Sequence, residues 1–253
     1  MRGILAIASV TFREVLRRKV QVNLLLFGSI VIVASFMISK LTIGEQHRIL
    51  SDLGLTAMTG IGTLIAVFVG ATLVAGDIDR RVLQPVVAKP VTRTRYLLGR
   101  YLGLAVALLV NLSVMAVVIA AVLAFEGGWP RALDPSLGGA VLMLGVQLLV
   151  VAAVAILFSS VTSTTLAAIF TLAFALAGHL TNEVRAIWQG EQTWIPTLVW
   201  YVVPNLGSLS LNASVVYGTP IPPGAWLAAG YGALYAATAL ALAALAFERR
   251  DLR

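Results

Sequence analysis

Six apolar runs, each long enough to cross a bilayer as a helix, alternate with short polar or charged stretches along the chain. They cover Val20–Leu41, Leu53–Ala75, Tyr101–Phe125, Leu137–Phe158, Thr164–Leu180 and Ala225–Phe247. Runs of this length, without the short alternating segments of a barrel, predict an all-α integral membrane protein with six transmembrane helices in one domain over residues 1–253. Ahead of the first run, residues 1–19 carry a helical period. Ile4, Leu5, Ala8, Phe12, Val15 and Leu16 fall on one side, and Arg2, Ser9, Arg13 and Arg17 fall opposite. That pattern predicts an N-terminal amphipathic helix lying in the membrane interface, its arginines toward anionic headgroups of the membrane lipid. A plain charged lead-in to the first span is the alternative. Ser9 and Thr11 break the apolar part, Arg13 follows at once and no small-residue cleavage site comes after, so a removed signal segment is not expected.

The connections differ from one another. Residues 159–163 form a short polar turn, Ser-Ser-Val-Thr-Ser, suited to a tight helical hairpin. Residues 181–224 make the longest loop, with Trp188, Trp194, Trp200 and Tyr201 and five prolines. Within it, Trp194–Val203 is too apolar for a solvated loop and too short to cross, which suits the interface or a re-entrant helix. The last run carries alanine at 225, 229, 233, 237 and 241, a small-residue stripe that predicts close packing on a neighbouring helix.

Composition agrees with the membrane reading. Hydrophobic residues are 59% and charged residues 11% of the chain, against about 25% charged in a soluble domain, and the mean hydropathy is +0.94. The net charge of +7 would suit nucleic acid, but no basic face with interleaved aromatics lies outside the membrane loops, so no nucleic-acid partner is expected. The positive charge instead reports sidedness. Of the eighteen Lys and Arg residues, fourteen fall in the N-terminal stretch, in residues 76–100 and after the last run; only Lys40, Arg48, Arg131 and Arg185 fall on the other side. The positive-inside rule therefore places both termini and the 76–100 loop in the cytoplasm, and the 181–224 loop outside.

Catalytic patterns are missing. The sequence has no phosphate-loop motif and no Gly-Lys pair, no H-E-x-x-H and no G-x-S-x-G. Cysteine is absent, which excludes disulfides and thiolate metal sites. Asp77 and Asp79 are two apart but are followed by arginines and lack a third ligand, so a solvated acidic pair is favoured over a metal site. Within the runs the polar residues are Asn23, Asn111, Gln147 and His179, none formally charged. For Asn111 and Gln147 interhelical hydrogen bonding is favoured over contact on a substrate path, and for His179, near the outer end of its run, a structural or interfacial role is favoured over ligation or a place on that path. With no energy-converting motif of its own, the chain is read as no enzyme and as holding no cofactor; a driving force would enter through the charged 76–100 loop.

That loop carries a resemblance. Asp77-Ile-Asp79-Arg80-Arg81-Val-Leu83, then Ala88-Lys-Pro90-Val-Thr-Arg93, then Tyr96-Leu-Leu-Gly99-Arg100-Tyr-Leu-Gly103 is similar to the segment between spans two and three of ABC exporter permeases of the second superfamily. The departures are Arg81-Val82 where Gly-Thr is usual, and Pro85 within a normally continuous helical turn. The layout of the whole chain also resembles that family. More loosely, Val203-Pro204-Asn205-Leu206 and Val215-Val216-Tyr217-Gly218 resemble the outer loop of its multi-copper enzyme maturation subgroup, though no Met, His and Cys cluster supports a copper path. The resemblance implies a multi-pass permease of the bacterial cytoplasmic membrane, paired with a second permease copy or a homologous permease. It implies a separate cytoplasmic P-loop ATPase subunit, which would hold the ATP and magnesium. It further implies a cytoplasmic coupling helix docked on that ATPase, with Asp77, Asp79, Arg80, Arg81, Leu83, Pro90, Arg93 and Tyr96 as coupling residues. Two other readings stand beside it: a non-transporting assembly or sensor subunit acting on an accessory protein through its outer loop, and a polytopic membrane enzyme, which would need a nucleophile or metal set inside the bundle.

Overall fold

The computed structural model describes residues 2–17, 26–34, 37, 46–79, 92–127, 134–187 and 203–249. All regular structure among them is helical. The helices are α1 (Arg2–Arg17), α2 (26–34), α3 (Gln46–Asp79), α4 (Arg93–Gly127), α5 (Pro135–Val161), α6 (Thr164–Ile187), α7 (Asn212–Tyr217) and α8 (Ala225–Arg249), with a 3-10 turn at Gly207–Leu209 ahead of α7. Among the described residues five helices are long and apolar enough to cross a membrane: His47–Ile78, Arg93–Phe125, Pro135–Val161, Thr164–Thr181 and Ala225–Arg249. They correspond to the second to sixth runs of the sequence. The first run is described only over its central helical part, where Phe27 and Val31 are buried. The apolar segment 194–202 lies outside the described residues.

The apolar content of each helix decides its place. α5 is apolar on every side, and a helix of that kind is stable only when surrounded. It forms the centre of the bundle and packs against α3, α4, α6 and α8. It begins where Asp134 accepts a hydrogen bond from the Ser136 amide at 2.9 Å, with Pro135 in the first turn. It ends at Val161, so only Thr162 and Ser163 separate it from α6, and the hairpin is tighter than the sequence predicts. α3 crosses α5 closely. A Cβ on Gly70 would lie 2.6 Å from the Ala155 Cβ, so no larger residue fits that crossing.

Two long helices overrun the apolar runs that predict them. α3 has 34 residues and α4 has 35, or about 50 Å each against a hydrocarbon core of about 30 Å. α3 continues through Asp77 to Asp79. α4 starts at Arg93, where Thr92 caps it by accepting from the Arg95 amide at 3.4 Å. The 76–100 segment, expected as a loop, is thus helical at both ends. A hydropathy window closes where charges begin, but nothing in Gly-Asp-Ile-Asp or in Arg-Tyr-Leu-Leu-Gly-Arg breaks a helix.

Within the chain, α8 packs by a face other than most of its alanine stripe. Ala225 is buried, but Ala233, Ala237 and Ala241 are exposed; the buried face is Gly232, Ala236, Ala239, Ala243 and Phe247. Residues four apart advance about 40° beyond a full turn. A stripe at every fourth position therefore spirals off the contact face, whereas alternating steps of three and four stay on it.

Candidate functional site

At one end of the bundle three elements, α1, α3 and α8, converge on the first two turns of α4. α1 lies against this part of α4, with the side chains of Ile7 and Thr11 facing Gly99 and Gly103. A Cβ on Gly103 would come within 2.5 Å of the Thr11 Cβ and 2.6 Å of the Ala8 carbonyl oxygen, so the backbones meet where side chains are absent. Ile7 and Thr11 face α4, and from the apolar side read in the sequence Val15 is buried with Phe12 and Leu16 packed against the core. Leu5, placed on that side, is 66% exposed.

Close approach brings charges together. Arg100 is only 8% exposed. Its guanidinium donates to Glu14 of α1 at 2.8 Å, to the Thr11 hydroxyl at 3.3 Å and to Asp77 of α3. Its Nε donates to the Tyr96 hydroxyl at 3.1 Å, and that hydroxyl donates in turn to Asp77. A buried arginine is tolerated when its donors are satisfied and its charge is paired. Arg100 meets both conditions by joining three helices.

Arg93, one of the expected coupling residues, serves α8. It donates to the carbonyl oxygens of Phe247 at 3.0 Å and Glu248 at 3.2 Å, and its guanidinium lies 5.9 Å from the centre of the Phe247 ring. The last carbonyls of a helix lack partners within it, and a cation there also meets the negative end of the dipole. Tyr96 stacks on the same Phe247 ring at 6.2 Å, and Thr94 donates to the Glu248 carboxylate at 2.9 Å. Of the other expected coupling residues, Asp79 is the last residue of α3, while Arg80, Arg81, Leu83 and Pro90 lie outside the described residues.

A single hydroxyl joins α3 to α5 one turn away. Ser159 of α5 accepts from the Ala75 amide at 2.9 Å and donates to the Ala71 carbonyl at 2.7 Å. These are the donor and acceptor of one rung of the α3 ladder.

Of the three expected substrate-path residues two meet, away from the charged node, and the third lies apart. Gln147 of α5 and His179 of α6 are in contact, with side-chain nitrogens 2.6 Å apart. An amide nitrogen can only donate, so His179 Nε2 accepts, and Nδ1 donates to the Ala175 carbonyl at 2.8 Å. Both side chains line a cavity of about 460 Å³ between α3, α5 and α6, with Ser210 and Asn212 from the outer segment at its edge. Thr59, on its α3 wall, is about 27 Å along that helix from Asp77, so the cavity and the charged node occupy opposite halves of the bundle. Asn111 is buried in α4 away from this lining, and neither polar atom of its side chain has a hydrogen-bond partner among the described residues. Among the described residues no group of three or more His, Cys, Asp or Glu could hold a metal ion.

Sequence reasoning placed Arg100 in the charged island without a role, and assigned none to Glu14, Thr11, Gly99, Gly103 or Ser159. The available signals were the Gly-x-x-x-Gly spacing and the four-residue step from Tyr96 to Arg100. Nothing in the sequence marks Ser159, whose partners are more than eighty positions away.

Bundle and charged node together define a multi-pass membrane protein whose long helices are tied to one another at one end. Residues 3–252 match the family described as ABC-2 family transporter protein. The chain belongs to that family, whose members are membrane components of transporters and normally work with a P-loop ATPase partner. No curated protein matches the chain.

Proposed function

We propose that the chain is the membrane-spanning permease subunit of an ATP-driven exporter, moved by a separate ATPase docked on residues 80–91 and the helix ends beside them. ATP and magnesium bind on that partner. The positive-inside distribution supports a cytoplasmic position for this end of the bundle. The observation that carries the reading is the Arg100 node. Through it the two helices that flank the 80–91 segment are fastened to each other by Asp77 and to α1 by Glu14, while Arg93 holds the end of α8. Force applied to the segment between α3 and α4 would then displace four elements as one block, which is what a coupling device requires. Arg100 and Arg93 act within the chain; Asp79, Arg80 and Arg81 are assigned to the ATPase contact, and a second permease copy would complete the assembly.

The test is co-purification from the native membrane, with wild type compared with Asp79→Arg combined with Arg81→Glu. A P-loop ATPase should accompany wild type and be lost from the variant at equal membrane abundance. A well-folded wild-type protein that brings down no ATPase would end the proposal at its energy source.

A further inference from the structure

α1 meets the bundle by one face and leaves another outside it. Ile7 and Thr11 sit on Gly99 and Gly103, and Glu14, the one acidic residue of the helix, is taken up by Arg100. The outward side differs in kind. Arg13 is exposed there; Arg2 stands about three turns before it and Arg17 about one turn after, so the three positions share one strip by register. Leu5 and Val10, 66% and 63% exposed, flank this strip. On the side of Leu5 the apolar surface continues through Phe12 and Leu16, both half-buried. With Glu14 engaged by Arg100, the charged positions left on the outward side of α1 are all basic.

Two features set this surface at the edge of the bilayer. α1 ends at Arg17 and the first apolar run begins at Val20, so the helix leads directly into the membrane. Its contact on α4 is made at Gly99 and Gly103, on either side of Tyr101, where the apolar run of that helix begins. A leaflet offers hydrocarbon just beneath a layer of phosphates, which is what an exposed leucine beside a basic strip requires. An acidic protein surface would answer the arginines and leave Leu5 in water. We infer that α1 binds the cytoplasmic leaflet and selects anionic phospholipid, with Arg2, Arg13 and Arg17 on the headgroups and Leu5 among the acyl chains. Thr11 and Glu14 of the same helix hold Arg100, so lipid that grips α1 also steadies the charged node. The binding itself does not rest on the ATPase reading.

The chain has no cysteine, so Leu5→Cys takes a single bimane label. Its fluorescence is followed in phosphatidylcholine nanodiscs, with neither ATPase nor ATP. Doxyl-labelled phosphatidylglycerol or doxyl-labelled phosphatidylcholine is included as quencher over the same range of mole fraction. Half-quenching should need about fivefold less of the glycerol lipid, the worth of one arginine at an anionic surface. Aqueous iodide should quench weakly. Arg2→Gln, Arg13→Gln and Arg17→Gln together should bring the two lipids within about twofold of each other, and so should roughly 1 M salt. If that variant does not assemble, Arg13→Gln alone should lower the preference at least about twofold. A label on Phe125→Cys, 92% exposed near the other end of α4, should be quenched by both lipids alike. Equal quenching by the two lipids at Leu5, the same preference at Phe125, or a preference that survives loss of the arginines would overturn the assignment. Quenching by iodide and by neither lipid would also overturn it, and would show that this surface faces water or a protein partner. Because the ATPase is absent from the assay, failure here leaves the coupling proposal standing, and loss of the ATPase in co-purification leaves this result standing.

Discussion

Arg100 reaches Glu14 at 2.8 Å across the contact between α4 and α1, and the same guanidinium holds Asp77 on α3. One cation thus serves two carboxylates on two other helices. Arg100→Met should take this counter-charge from both carboxylates and lower stability by about 3 kcal/mol, the usual consequence of breaking a buried pair from one side. Arg100→Lys should recover only part of this, since an ammonium cannot reproduce the forked donation to Thr11, Glu14, Tyr96 and Asp77. Thermal unfolding of Arg100→Met, Asp77→Asn and the double variant checks it. The double variant should be less destabilised than the sum of the singles by about 1 kcal/mol or more.

The seat for α1 depends on the missing side chain at Gly103. Gly103→Leu should lift α1 off α4. A thiol at Thr11, fully buried in the native contact, reports this directly. Alkylation of Thr11→Cys by a water-soluble maleimide should be slow in the parent and at least about tenfold faster with Gly103→Leu, a loosening of about 1.4 kcal/mol or more.

Arg93 should matter to α8 before it matters to any partner. Arg93→Ala leaves the Phe247 and Glu248 carbonyls without their side-chain donor and removes a favourable dipole interaction, at a cost of about 1 kcal/mol. Hydrogen exchange should show lost protection in the last turn of α8, with α3 and α5 unchanged.

Asn111 should be replaceable at a gain. Its amide is buried and has no partner among the described residues, so Asn111→Leu, close in volume, should raise stability by about 1 kcal/mol. A fall in the unfolding temperature would show that the amide is satisfied in the membrane by something outside the chain.

The Ser159 hydroxyl should be worth more than an ordinary helix-surface serine. Ser159→Ala removes a bridge between two buried backbone groups and should cost about 1–2 kcal/mol. Ser113→Ala, at an exposed hydroxyl bonded within its own helix, should stay within about 0.5 kcal/mol.

The apolar course of the helices was legible in the sequence because burial in lipid and burial in protein demand the same residues; five of the six runs reappear as spanning-length helices. Their charged ends were not, because hydropathy reports solvent and helix continuation depends on backbone hydrogen bonding. Asp77 and Tyr96 could be singled out by resemblance, yet the residue that unites them, Arg100, looked like one more orientation charge. Gln147 and His179 were visible as polar residues in apolar runs. Their contact was not, since positions 32 apart meet only through the packing of α5 on α6. The alanines of α8 do not mark its face within the chain for a geometric reason: a repeat of four does not follow one face of a helix with 3.6 residues per turn.

The serine that enters the α3 ladder also has a mechanical meaning. It pins α3 to the central helix around Leu73, midway between its two backbone partners, four residues from Asp77 and fourteen from Thr59. At about 1.5 Å per residue, Asp77 lies about 6 Å and Thr59 about 21 Å from this point along α3. Between the point and Thr59, Gly70 meets Ala155 and Gly62 meets Leu148 at distances that leave no room for a side chain. A load placed on Asp77 is therefore carried into the central helix along the whole of this contact.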